Sequence, residues 1–268
     1  MNKNLIQRLA VIFLLLIAGV TFSIAQSSEN PPLPGFDAAG SDAKAIEIAD
    51  EVMVALGGRK AWDNTRHITW KFFGRRLHVW DKWSGNIRVE SKGLVVLMNL
   101  NTREGRAWQD GEEITQPDSL TKKLSFANSA WINDSYWLVM PYKLKDSGVT
   151  LKYHGEGTME NNRPCDILQL TFQNVGDTPQ NKYLVYVDKE TRLVEQWSFF
   201  REASDQEPGF TNAWVNWQKH GEILLSDDRG TLRGKPIKHT DIAVFEELPA
   251  SVYESPQAVD MMGFVKGD

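Results

Sequence analysis

The sequence predicts a mainly β protein of the α+β class: a curved antiparallel half-barrel of about 10 to 11 strands, with helices covering its concave face. Three observations carry that prediction. From His67 onward, apolar residues alternate at a period of two in short runs separated by turn residues at hairpin distances. Two segments break the rhythm with three-to-four spacing, one at 43–56 ahead of the strands and one at 118–144 among them. No repeat of fixed period runs through the chain, which excludes a propeller or a solenoid. A sheet this long curls, and helices are the natural cover for its hollow side.

Lys3 and Arg8 precede the apolar run Leu9 to Val20, and Ser23 and Ala25 are small residues at the two positions a signal peptidase reads. We expect a signal peptide over 1–25, cleaved after Ala25, and release into the periplasm. The apolar run is shorter than the ~20 residues a bilayer span needs, and no cysteine near the cleavage position invites lipidation. Residues 26–41 (QSSENPPLPGFDAAGS) read as a flexible leader, which leaves 42–268 as a single domain. The formal net charge of -5 becomes -7 once Lys3 and Arg8 are removed. That balance excludes nucleic acid and anionic membrane surfaces as main partners. Cys165 is the one cysteine, so no intramolecular disulfide forms and stability must come from the core. A mature chain of about 240 residues buries roughly 70 to 75% of its surface, enough for one large domain.

Ile46, Ala49, Val52, Met53 and Leu56 form the stripe of an amphipathic helix over 43–56, with Ser41 or Asp42 as its cap and Gly57-Gly58 as its stop. A short second turn carries Trp62. Ile68, Trp70 and Phe72 share one strand face, Ile87 and Val89 mark another strand, 95–100 a third, and Asp110-Gly111 a hairpin after Trp108. Leu120, Leu124, Ala127 and Trp131 stripe the inserted helix, and Asp134 is placed to cap a second short helix ending near Pro141. Strands resume at 149–154, 167–173, 183–187, 193–200, 212–217, 221–225 and 241–245.

This order of elements, together with ADEVMVALGGRKAWDN at 49–64 and DSYWLVMPYKLKDSGV at 134–149, resembles the outer-membrane lipoprotein-sorting proteins of the LolA/LolB-like superfamily. Within that superfamily it is similar to an uncharacterised family of secreted bacterial proteins. The resemblance covers about residues 43 to 250. It implies a curved sheet whose helices cover an apolar cavity for lipid or lipoprotein acyl chains, and an envelope protein as a possible partner. Lacking an anchoring cysteine, the chain is similar to the soluble carrier of that system.

The ten tryptophans are the most unusual feature of the composition. On strand parity Trp70 joins Phe72, and Trp197 joins Phe199; Trp137 and the adaptable Met140 lie on the connecting segment. These six residues, Trp70, Phe72, Trp137, Met140, Trp197 and Phe199, are the expected wall of an apolar cavity, although closed core packing would use the same side chains. Trp214 and Trp217 fall on opposite faces of a regular strand, so one indole is expected to be exposed or covered by a loop. Two other function classes compete. A carbohydrate or cell-envelope binding module would use Trp80, Trp83 or Trp217 as stacking platforms, and a metal-dependent hydrolase would bring His154-Gly155-Glu156 and His220-Gly221-Glu222 together around zinc. His67, His78 and His239 sit among polar neighbours and are expected at the surface. Cys165 reads as a small buried hydrophobe, and Glu112-Glu113 and Asp227-Asp228 as solvated turn charges. No nucleophile elbow, phosphate loop, helical H-E-x-x-H or dinucleotide fingerprint is present. The expected function is therefore that of a soluble periplasmic binding or carrier protein without a cofactor.

Overall fold

The structure, a computed structural model, describes residues 29–265; the expected signal peptide and its cleavage position lie outside the described residues. The strands form three antiparallel sheets. In the first, β1 (His67–Phe72), β2 (Arg76–Asp81), β3 (Asn86–Ser91), β4 (Leu94–Asn99), β5 (Gly105–Gln109) and β6 (Glu112–Glu113) meander in sequence. β7 (Val149–Thr158), β8 (Pro164–Phe172), β9 (Lys182–Asp188), β10 (Val194–Phe200) and β11 (Phe210–Ala213) form the second. A third holds β12 (Val215–His220), β13 (Ile223–Leu232) and β14 (Lys235–Lys238), and the last strand, β15 (Thr240–Phe245), returns to pair with β1. β12 lies beside both β10 and β15, and β13 beside β11, so the small sheet bridges the two large ones. The result is one bent, open surface, a half-barrel rather than a closed one.

More strands are present than periodicity finds. β2 is the instructive omission: Leu77 and Val79 are buried on one face while His78 is buried on the other, so the polar/apolar alternation of a one-sided strand is absent. Its second face is covered by the C-terminal segment. There Val252 and Met261 pack on Leu77 and Val79. The fully buried Arg88 fastens the segment by donating to the carbonyls of Val252 (3.0 Å), Ser255 (2.7 Å) and Gln257 (2.5 Å). The acidic pairs are also strand residues rather than loose turn charges. Glu113 on β6 receives Arg106 at 2.7 and 2.8 Å, and Asp228 on β13 is paired with Lys238 at 2.7 Å.

α1 (Ala43–Ala55) forms where its stripe predicts, burying Ala45, Ile48, Ala49, Val52 and Met53. Neither Ser41 nor Asp42 caps it. Their side chains serve β7 instead: Ser41 Oγ accepts from the Leu151 N–H (2.9 Å), and the Asp42 carboxylate accepts from the Tyr153 N–H (3.0 Å) and from Lys152 (3.0 Å). The preceding segment is likewise docked, with the Leu33 N–H on the Lys145 carbonyl (3.0 Å), the Asp37 N–H on the Val149 carbonyl (3.0 Å) and Phe36 against the core. In α2 (Arg59–Asn64), Trp62 stacks on Tyr142 at 4.3 Å, and the Lys82 ammonium lies 3.5 Å from the Trp62 ring centroid.

The inserted helix is one continuous α3 (Pro117–Val139), followed by a 3-10 turn (Met140–Lys143) around Pro141. Asp134 therefore caps nothing; it lies inside α3, where its carboxylate is taken by side chains of β2. The N-terminal half of α3 packs Leu120, Leu124, Ala127 and Trp131 on Ile87, Val89, Val96 and Met98. Leu138 and Val139 at its other end join α1 and the inner faces of the remaining strands in the main core.

Two positions give direct tests. Gly57 has φ +112°, and a Cβ there would stand 2.4 Å from the Glu222 carbonyl oxygen. Gly57→Ala is thus expected to lower stability by about 1–3 kcal/mol, read from the urea midpoint. Burial pulls the Lys82 amine down to about 7. Between that value and the ordinary lysine range the unfolded chain holds a proton that the folded chain has released, so stability rises with pH across this window. Urea melts from about pH 7 to about pH 10 should show that rise in the wild type and a flatter profile in Lys82→Met; identical slopes would contradict it.

Candidate ligand-binding site

β1, α3 and β10 place an aromatic cluster on the concave side. Trp137 on α3 meets Trp197 on β10 edge-on at 4.6 Å and stacks on Phe210 at 5.6 Å. Phe210 stacks on Phe199 at 5.0 Å, and Tyr183 on Trp197 at 5.1 Å. Toward the β1–β2 hairpin, Phe72 and Phe73 reach Trp137 at 6.3 and 5.3 Å. The six residues chosen from the sequence thus gather around one interior. Their exposure differs: Trp70, Met140 and Trp197 are fully buried, whereas Phe72, Trp137 and Phe199 are half-buried. Beneath α3, Trp70, Met140 and Trp197 pack in the main core, with Phe72 and Trp137 against it.

Two polar clamps hold α3 over this interior. In the first, Asp134 accepts from Arg76 Nε (2.6 Å) and Nη2 (2.9 Å) and from His78 Nε2 (2.6 Å). Burial alone would raise the Asp134 carboxyl, but hydrogen bonds from His78 and Arg76 outweigh it and hold the carboxyl below its usual range. Burial pushes His78 down, against the pull of Asp134, and its ring stacks on Trp70 at 4.6 Å. In the second clamp the Trp137 carbonyl, one of the orphan acceptors at the end of α3, receives Arg229 Nε (3.0 Å), Arg229 Nη2 (2.7 Å) and His239 Nε2 (3.2 Å). Arg229 is fully buried, with its guanidinium 3.7 Å from the Trp214 ring centroid. Burial lowers His239 to about 3, so it remains neutral.

These contacts correct several expectations. His67, His78 and His239 are buried, not superficial; His67 Nδ1 is bonded to the Tyr253 hydroxyl at 2.8 Å. Trp214 is fully buried and Trp217 half-buried with its indole donating to the Val194 carbonyl (3.1 Å), because Asn216 at φ +62° breaks the regular strand alternation. Of the three indoles proposed as sugar platforms, Trp80 packs inward on Trp131 at 5.1 Å, and Trp83 is 61% exposed. Trp217 lies on β12, in a different sheet from Trp80 on β2. His154 lies on β7 at the register shift between Tyr153 and Gly155, while His220 ends β12, and among the described residues no cluster of His, Cys, Asp or Glu could hold a metal ion. Cys165 is buried, as expected.

Open space lies beside the core. A groove of about 500 Å3 runs between α3 and the turns β1–β2 and β3–β4. Phe72, Phe73 and the 40%-exposed Phe126 line it, and Arg75, Lys92 and Lys123 stand around them. Arg76 spans its inner side, 5.5 Å from the Phe72 ring centroid and 5.7 Å from that of Phe126. Sequence periodicity finds Phe72 but not its companions. The signal was the stretch FFGRR at 72–76, an aromatic pair and a basic pair around a glycine. Larger grooves, of about 640 Å3 under the C-terminal segment and about 830 Å3 along α1, lie away from the aromatic cluster.

The chain is thus an open antiparallel half-barrel of the α+β class with helices on its concave side and an aromatic interior. Among solved structures, the chain is similar to a DUF1329 family protein from Desulfovibrio piger at 12% identity and a TM-score of 0.42, over 79% of this chain and 97% of that one. It is also similar to a candidate outer membrane lipoprotein-sorting protein domain from Vibrio parahaemolyticus (9% identity, TM-score 0.38, 78% and 96% covered). A further likeness is to the MucA/MucB complex of Pseudomonas aeruginosa (14% identity, TM-score 0.25, 71% and 66% covered). No protein-family model and no curated protein sequence matches the chain. No described helix is long and apolar enough to cross a membrane.

The first clamp is testable alone. Asp134→Ala leaves Arg76 and His78 without their carboxylate and is expected to cost about 3–5 kcal/mol in urea unfolding. Because the folded carboxyl titrates below its unfolded value, this contribution is complete above the ordinary Asp range and is lost as pH falls through the folded value. The gap between wild type and Asp134→Ala should therefore narrow in acid.

Proposed function

We propose that the protein is a periplasmic binding or carrier protein for an apolar ligand, a lipid or a lipoprotein acyl chain. The observation that carries this reading is the continuity of the half-exposed Phe72, Phe73 and Phe126 with the cluster of half-buried Trp137 and Phe199 around buried Trp197. An acyl chain laid on the phenylalanines gains about 0.8 kcal/mol for each CH2 removed from water. Phe72 is the entry contact, Trp137 and Phe199 come next, and Trp70, Met140 and Trp197 form the deep wall reached when the C-terminal half of α3 gives way. The indole N–H groups of Trp70, Trp197 and Trp214 find no acceptor among the described residues. Each costs about 1–3 kcal/mol while unmet, and ester or amide carbonyls at the head of an acyl ligand would supply acceptors. Residues 1–25, with the pattern of a secretory signal, support the compartment.

The test is direct. Organic extracts of protein purified from its native envelope should contain lipid by mass spectrometry, and a fluorescent fatty-acid probe should bind with a dissociation constant well below about 1 mM. Phe72→Ala combined with Phe126→Ala should weaken the probe severalfold without lowering the urea midpoint as Asp134→Ala does. Absence of both co-purified lipid and probe binding would overturn the reading.

A further inference from the structure

Among the described residues seventeen ion pairs join a lysine or arginine to a carboxylate, yet Arg75, Lys92 and Lys123, which stand around the phenylalanine groove, are in none of them. No aspartate or glutamate lines the groove. The nearby Asp110 is engaged instead with the Gln109 amide at 3.1 Å. The fourth cation, Arg76, is neutralised by Asp134, so the uncompensated charge belongs to the outer three. In a chain with a formal net charge of -5, three unpaired cations around one apolar groove are a local exception to the overall balance.

The hairpin tip adds an independent sign. Phe73 adopts φ +47°, a left-handed conformation that a bulky side chain rarely takes and that costs on the order of 1–3 kcal/mol. The same turn puts Gly74 at φ +66°. This geometry keeps Phe73 and Phe72 stacked at 4.0 Å beside the groove, with the unpaired Arg75 two residues beyond Phe73. Strain of this kind persists where the surroundings hold it, and here it places an apolar surface and a cation together.

We infer that this groove binds an anionic amphiphile: a lipid whose acyl chain lies on Phe72, Phe73 and Phe126 and whose phosphate head is held by Arg75, Lys92 and Lys123. The inference rests on the apolar-ligand reading and adds the charge of the head. Guanidinium and ammonium groups donate charge-assisted hydrogen bonds to phosphate oxygens, and a cation already committed to a carboxylate could not do so without giving up that partner.

The experiment compares lysophosphatidylglycerol with lysophosphatidylcholine of the same chain length, each below its micellar concentration, by isothermal titration against the full-length mature protein. The expected result is binding of both, with the anionic lipid at least about tenfold tighter and its advantage shrinking as salt is raised to about 0.5 M. The triple variant Arg75→Gln, Lys92→Gln, Lys123→Gln should bind the two lipids equally, at the affinity the wild type shows for the zwitterionic one, with an unchanged thermal midpoint. Equal binding of both lipids by the wild type, or a preference that survives in the triple variant, overturns the anionic-head inference and leaves the apolar reading standing. Binding of neither lipid overturns both.

Discussion

The fold depends on the attachment of α3 to the hollow side of a bent sheet, and that attachment is as much polar as apolar. A sheet that curls without closing must have its inner face covered, and α3 covers it with Leu120, Leu124 and Ala127 at one end and Leu138 and Val139 at the other. Between them, Asp134 and the Trp137 carbonyl meet charged groups that reach in from two different sheets: Arg76 from β2, and Arg229 from β13. Removing the buried side chain of Asp134 would strand a guanidinium and an imidazole in a medium that solvates neither well. The clamps thus fix where α3 lies, and through it the distance between the two halves of the half-barrel.

That position also defines the groove. Arg76 bridges two tasks, binding Asp134 while lying over the rings of Phe72 and Phe126. Structural support and the groove wall therefore share one side chain, and the cations outside any ion pair are those one step further out. Behind the groove, Phe72, Phe73, Trp137 and Trp197 are in ring contact. A ligand that enters deeper must exchange ring contacts for its own, a trade between similar apolar environments.

Much of the architecture was legible because its signals are local. The stripe at Ala49, Val52 and Met53 and the alternation through Trp70 and Phe72 follow from side-chain geometry within one element, although the buried face runs through Ile48 and not Ile46. Elements that depend on distant partners were not legible. β2 hides because Val252 and Met261, more than a hundred residues away, bury its outer face. Asp134 mimics a cap since nothing in its neighbourhood announces Arg76 and His78. The buried histidines deceive for the same reason: polar sequence neighbours say little when the partner is a tyrosine, a carboxylate or a carbonyl distant in sequence. Of the candidate site, the aromatic members declared themselves by composition, whereas the unpaired cations could be recognised only once the ion pairs of all the others were known.

The pairing of β15 with β1 carries a kinetic consequence. The first sheet acquires its final neighbour only after about 170 further residues have been made, and the outer surface of β2 is sealed by still later ones. Contacts that close such long loops form slowly, because the entropy of bringing the ends together must be spent before any reward arrives. A polypeptide assembled in this order stays incompletely knit until its tail is available.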